Sequence, residues 1–274
     1  MKATLIYIEG EYKMKKIIIS LLLLTMGFGA LGTGCSSSKN DESSSSSVSS
    51  TSSESSDNSS SENLSSNEEL DSDFIWEEGK YITDLSEEGK KKKDIVIPEN
   101  CQNILISTIG SASGTGFNNN DNIESISFES EDVTYLPDFF LQLDTNLKSV
   151  EIPKKLNIIP NNFIACCSLV TSIDIPSTVT KIGHHAFAET GIEEMKIPEG
   201  VTTVDELVFR FTPIKKLYLP ESLNEINSRF LTDIDNLDEN GKTLYNLEVY
   251  VKEGSYADQH FSDYADSTTV KKYY

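Results

Sequence analysis

The sequence predicts a solenoid of short parallel strands, mostly β, and three observations predict it. A phrase of 22 to 24 residues is written five times between Ile123 and Asn236. Its copies begin IESISFE, LKSVEIP, VTSIDIP, IEEMKIP and IKKLYLP, so Glu129, Pro153, Pro176, Pro198 and Pro220 hold one place. A second apolar couple follows each of these: Val133/Leu136, Leu156/Ile159, Val179/Ile182, Val201/Val204 and Leu223/Ile226. An aromatic then closes each copy, at Phe140, Phe163, Phe187, Phe209 and Phe230. A fixed period of this size marks a solenoid, because no single copy can bury its apolar face without neighbours stacked on it.

Each regular copy reads apolar-x-x-apolar-x-apolar-Pro. That makes a short strand whose second and third apolar residues face one side, as in Val150/Ile152 and Ile173/Ile175. Proline ends the hydrogen bonding. The stretch from Val179 to Phe187 then returns along the opposite face and buries Phe187. Ahead of the copies, residues 73–94 alternate weakly, with turn points at Gly79 and Gly89. They predict a hairpin that covers the open end of the stack. The cations Lys90 to Lys93 read as a solvated edge rather than a docking patch. Asp94 to Pro98 opens an imperfect copy, which brings the count to about six repeats, and a polar insertion from Ser111 to Asn122 delays the next strand. Its Gly114-Thr115-Gly116 lacks the third glycine and the helix that a nucleotide cradle needs.

The amino-terminal quarter has a different character. Lys15 and Lys16 precede an apolar run from Ile17 to Leu24 and a small-residue stretch that ends at Cys35. This is the layout of a secretory signal over residues 1–35, with Met14 read as the start. Gly32-Thr33-Gly34-Cys35 resembles the lipobox of bacterial lipoproteins, with Leu31 four places before the cysteine and Gly32 in the place usually taken by leucine. The resemblance implies a diacylglyceryl group on Cys35, acylation of palmitate type, and a membrane hold worth about 0.8 kcal/mol per buried methylene. An ordinary signal cleaved nearby would instead release the protein. Residues 36–70 hold 19 serines, seven acids and one lysine, with Val48, Leu64 and Leu70 as the large apolar side chains. Such a tract cannot repay the entropy of ordering and is expected to be a disordered tether, roughly 30 to 35 Å from end to end. Residues 71–274 are expected to form the folded domain.

The net charge of −21 divides into +2 for residues 1–35, −6 for 36–70 and −17 for the remainder. So acidic a body repels phosphate backbones, which argues against nucleic acid as a partner. Cys101, Cys166 and Cys167 do not make a disulfide frame or a zinc site, and Cys166 reads as a small buried residue.

Beyond the periodicity, the phrase SIDIPSTVTKIGHHAFAET (Ser172 to Thr190) is very similar to the repeat of BspA-type leucine-rich-repeat proteins. The copies from 147, 192 and 214 agree in outline. The lead-in ITDLSEEGKKKKDIVIP and the ending YVKEGSYADQHF resemble the caps of that family. The first two copies depart from it, with Glu129 in place of proline and Pro137 and Pro160 in place of the glycine after isoleucine. The resemblance implies a right-handed leucine-rich solenoid on the bacterial surface, in a family associated with adhesion. It implies no catalytic residue.

The outward residues of the predicted sheet form the candidate ligand face. Just before the last apolar of each strand stand Ser127, Glu151, Asp174, Lys196, Tyr218 and, in a final strand, Glu248; two places earlier stand Ser125, Ser149, Ser172, Glu194, Lys216 and Asn246. Stacking at about 4.8 Å permits cross-strand pairs such as Asp174 with Lys196. A structural charge ladder accounts for most of these residues, and the anchors of a ligand would be Lys196, Lys216 and Tyr218, beside Glu151, Asp174 and Glu248. His184 and His185, as neighbours in an extended segment, point opposite ways and do not share an ion. The acidic run Asp233 to Asn240 lacks the glycine and closing glutamate of a calcium loop. No hydrolase elbow, zincin or phosphate-loop motif is present. The reading is thus a non-enzymatic, lipid-anchored monomer outside a bacterial cell. It would bind an extracellular protein or glycan, without a cofactor or metal. The alternatives are a passive envelope component and a polysaccharide-binding accessory domain.

Overall fold

The computed structural model describes residues 70–105, 116–238 and 240–274. The expected signal segment and Cys35 therefore lie outside the described residues, as does the serine tether apart from Leu70.

The predicted hairpin is present. Strands β1 (Phe74–Glu77) and β2 (Tyr81–Leu85) pair antiparallel around Glu78 and Gly79, both in the left-handed region. Among the described residues every later pairing of strands is parallel, with one rung per turn. The front row comprises β3 (Asp94–Ile97), β5 (Ser125–Phe128) and β6 (Ser149–Val150), then β9 (Glu194–Lys196), β11 (Lys216–Tyr218), β13 (Leu247–Val251) and β14 (Thr269–Tyr273). The back row pairs β2 with β4 (Asn103–Ile104), and further along β7 (Ile158–Ile159), β8 (Lys181–Ile182), β10 (Thr203–Val204) and β12 (Glu225–Ile226). Front strands place Ile95 against Ile126 and Val150, and Met195 against Leu217 and Val249. The strands are short because proline and the turns interrupt them, so each rung gains its burial from its neighbours.

A third row closes each turn through the backbone of the aromatic segment. Leu141 N–H donates to Phe163 O at 2.9 Å, Ile164 N–H to Ala186 O at 3.1 Å and Phe187 N–H to Val208 O at 3.1 Å. On either side of these donors sit non-glycine residues with positive φ, in the pairs Phe139/Leu143, Asn162/Cys166, His185/Glu189 and Leu207/Phe211. A side chain in that region costs roughly 1–2 kcal/mol. The conformation persists because it aims the N–H of each such residue at the next turn, as Asn162 does to His184 O at 2.9 Å and Glu189 to Arg210 O at 2.8 Å.

The core is a stack of rings. Phe74, Phe117, Phe140, Phe163, Phe187, Phe209 and Phe230 are all buried, and Tyr264 joins them at the far end. Ring contacts join Phe74 through to Phe163 and Phe187 through to Tyr264, with centroid separations from 5.2 Å for Phe117 and Phe140 to 6.4 Å for Phe140 and Phe163. Phe117 restores to the imperfect copy the aromatic that its insertion displaces. The far end is closed by two single-turn helices, α1 (Tyr256–Gln259) and α2 (Phe261–Tyr264), with Tyr264 OH donating to Ala257 O at 2.8 Å. In β14 Lys271 takes the register of inward Val249. Its ammonium reaches Asp258 at 2.8 Å across the ring of Phe261, 4.9 Å away.

Candidate ligand face

The front row presents two files of outward side chains. Register aligns Glu194, Lys216 and Glu248 in one file, and Lys196, Tyr218, Tyr250 and Lys272 in the other. This corrects the alignment expected from sequence, which set Glu248 beside Tyr218 and Asn246 beside Lys216. The last copy has a longer link after Phe230, and the fully buried trio Leu247, Val249 and Val251 fixes its phase two residues further on. Tyr250 was the residue missed. Counting outward from Val249 finds it.

The tyrosines Tyr218 and Tyr250 stack at 4.4 Å with 15° between their planes. Tyr250 OH donates to Glu248 at 2.9 Å, and that bond to a carboxylate holds the phenol above its ordinary pKa. Lys216 lies 3.8 Å from Glu194 and Lys272 lies 3.7 Å from Glu248. Lys196 is exposed and makes no ion pair among the described residues. The cross-strand pair expected between Asp174 and Lys196 does not form, because the front ladder is interrupted beside it.

Ser172 to Ile175 occupies the place of a front strand, yet among the described residues its backbone makes no hydrogen bond to β6 or to β9. The other two rows continue behind it. Ile159 pairs with Ile182 in the back row, and Ile164 N–H reaches Ala186 O at 3.1 Å in the turn row. The opening is therefore one-sided. It forms a groove of about 470 Å³ lined by Phe128, Val150, Glu151, Ile152, Ile173 and Asp174 among others. Ile173 and Ile175 are half-buried at its wall, whereas their equivalents Met195 and Ile197 are 4% and 1% exposed. Of the six residues expected on the ligand face, the structure sets Lys196, Lys216, Tyr218 and Glu248 on the four-stranded part, and Glu151 and Asp174 in the groove.

The remaining expected groups sort by burial. His185 has φ of 55° and its ring touches that of His184, with centroids 3.8 Å apart. The left-handed turn thus overturns the expectation that the two rings point opposite ways. Burial, then His184 and Arg210, pushes the His185 imidazole down to about 3. No group of three metal-ligating side chains occurs among the described residues. Cys101, Cys166 and Cys167 form no disulfide among the described residues; Cys167 is fully buried, whereas Cys166, at φ 67°, is half-buried, which corrects the expectation that Cys166 is a buried residue. The four lysines after Gly89 each meet an acid: Lys90 with Glu87, Lys91 with Glu88, Lys92 with Asp73 and Lys93 with Glu124. In the acidic run Asp233 lies 3.3 Å from Arg210, and Asp238 caps the turn to Lys242. No described helix is long and apolar enough to cross a membrane.

A model of the BspA type leucine-rich repeat region matches residues 99–190 in six copies. Among solved structures, a leucine-rich repeat protein from Bacteroides ovatus ATCC 8483 is 16% identical over 67% of this chain and 66% of that one, with a TM-score of 0.39. A leucine rich cell surface protein from Faecalibacterium prausnitzii A2-165 is 10% identical over 66% of this chain and 79% of that one, with a TM-score of 0.28. The chain thus spans about two thirds of the length of the first. No curated protein matches. Residues 99–190 are thus similar in sequence to the BspA type leucine-rich repeat.

Proposed function

We propose that the chain is a non-enzymatic interaction module, held outside a bacterial cell through a lipid on Cys35, whose front face engages an extracellular protein or glycan. The observation that carries the contact surface is the file Lys196, Tyr218, Tyr250, in which an unpaired cation stands beside two stacked aromatics on a rigid sheet. Amphipathic aromatics and long cations contribute most at contact surfaces, and a sheet holds them in place at little further entropic cost. The family match supports an interaction role.

The test presents the full chain to immobilised host matrix proteins and glycans. Binding is expected, with loss in the double variant Lys196→Glu/Tyr218→Ala at an unchanged unfolding temperature. Retention in that variant would move the contact off this file. Failure of every ligand to bind would favour a passive envelope component.

A further inference from the structure

The interrupted ladder leaves backbone hydrogen-bonding groups on offer, and their arrangement is that of an open strand edge. Ser149 and Glu151 donate their N–H groups toward the preceding copy, to Glu124 O at 3.3 Å and Ile126 O at 3.0 Å. Successive residues of a strand turn these groups to opposite sides. Val150 and Ile152 therefore direct theirs toward Ser172 to Ile175, which does not accept or donate. A row of unpaired N–H and C=O groups is a template for another strand. In most of this fold such rows are consumed by the next turn. Here the next turn is present and declines the bond.

The walls of the groove state what kind of strand would fit. Its apolar surface comes from Phe128, Val150, Ile152 and the half-buried Ile173 and Ile175. Its cations are already neutralised, Lys148 by Glu124 at 2.5 Å and Lys154 by Glu131 at 3.0 Å. Two carboxylates, Glu151 and Asp174, line the opening from adjacent copies, both exposed and without an ion pair among the described residues. Glu151 makes only a long contact, accepting from Phe128 N–H at 3.4 Å.

We infer that this groove takes an extended basic peptide as an added strand. The peptide's backbone pairs with Val150 and Ile152, its apolar side chains rest on Ile173 and Ile175, and a lysine or arginine lies between Glu151 and Asp174. The inference rests on the interaction role proposed above and deepens it by naming the partner chemistry: a segment of a protein that alternates apolar and cationic residues. Charge steers the encounter, the backbone fixes the direction, and alternation selects the sequence.

The experiment titrates the full chain with a blocked hexapeptide of alternating valine and lysine, read by calorimetry. Two comparisons separate strand addition from simple attraction to an acidic protein. The first is the same hexapeptide with alternate amides N-methylated, which keeps its charge and removes the donors along one edge. The second is Glu151→Gln/Asp174→Asn, which alters exposed side chains at nearly constant shape. Each is expected to weaken binding at least about tenfold, or 1.4 kcal/mol. Equal affinity for the methylated hexapeptide, equal affinity of the double variant, or no binding of the parent hexapeptide would each overturn the inference. If the hexapeptide fails while matrix or glycan capture still depends on Lys196 and Tyr218, the interaction role stands and only the groove falls.

Discussion

Phe209→Ala tests whether the ring stack carries the fold. Phe209 is fully buried, with Phe187 at 5.9 Å on one side and Phe230 at 5.8 Å on the other. Removing the ring forfeits roughly 2–3 kcal/mol of apolar transfer. Losing two aromatic contacts and leaving a partly collapsed cavity adds roughly 1–2 kcal/mol. The expected loss is about 4 kcal/mol, a large part of the 5–15 kcal/mol that roughly spans domain stabilities. Urea unfolding followed by circular dichroism measures it, with Trp76 fluorescence reporting the hairpin at the opposite end. Phe211→Ala is the matched control two residues on. Its half-buried ring lies beneath the Arg210 guanidinium at 4.6 Å, and the change is expected to cost about 1 kcal/mol. If Phe209→Ala cost no more than Phe211→Ala, the stack would not be the core.

Three further outcomes follow from the same packing and from the leader. Asp144 is fully buried, with Oδ1 accepting from Asn120 N–H at 2.8 Å and Oδ2 unpartnered, and burial raises its carboxyl well above the usual range. A raised folded pKa means stability present below about pH 4 and lost as pH rises, so Asp144→Asn should stabilise by about 1–3 kcal/mol at pH 7 and by nothing below pH 4; a gain independent of pH in thermal melts would refute this. The depressed His185 has the opposite sign, because the unfolded chain binds the proton first between its ordinary value of 6.5 and about 3. Wild type should therefore lose stability across that window as pH falls, and His185→Gln should lose less of it, as acid titration of the unfolding midpoint will show. Metabolic labelling with a fatty acid should mark the wild type and not Cys35→Ala, and equal labelling of both would remove the lipid anchor.

The repeat itself was legible because its inward residues obey one period. Ile126, Leu217 and Phe187 occupy the buried places that periodicity assigns them, and the hairpin from Phe74 to Leu85 follows from its alternation and Gly79. The turn row was not legible. Left-handed residues are expected to be glycine or asparagine, whereas here the backbone bonds of the next turn impose that conformation on Phe139, Leu143, Glu189 and Leu207. No local preference announces a conformation that a neighbour dictates, and the misjudged directions of His184 and His185 have the same origin. On the ligand face, the identities of Lys196 and Tyr218 could be read from the pattern. The partner Tyr250 required a phase set by Leu247 and Val251 across an irregular link. The groove could not be read at all, since Ser172 to Ile175 satisfies the strand pattern and differs only in failing to bond.

The inward turn of Lys271 sets what can pair beside it. A rung with an aliphatic interior and an unpaired edge could template a further strand. Here the position that an aliphatic would fill carries an ammonium locked to Asp258, roofed by Phe261. A strand laid against β14 would have to desolvate that ion pair without replacing it, so pairing at this rung is penalised by the burial of charge.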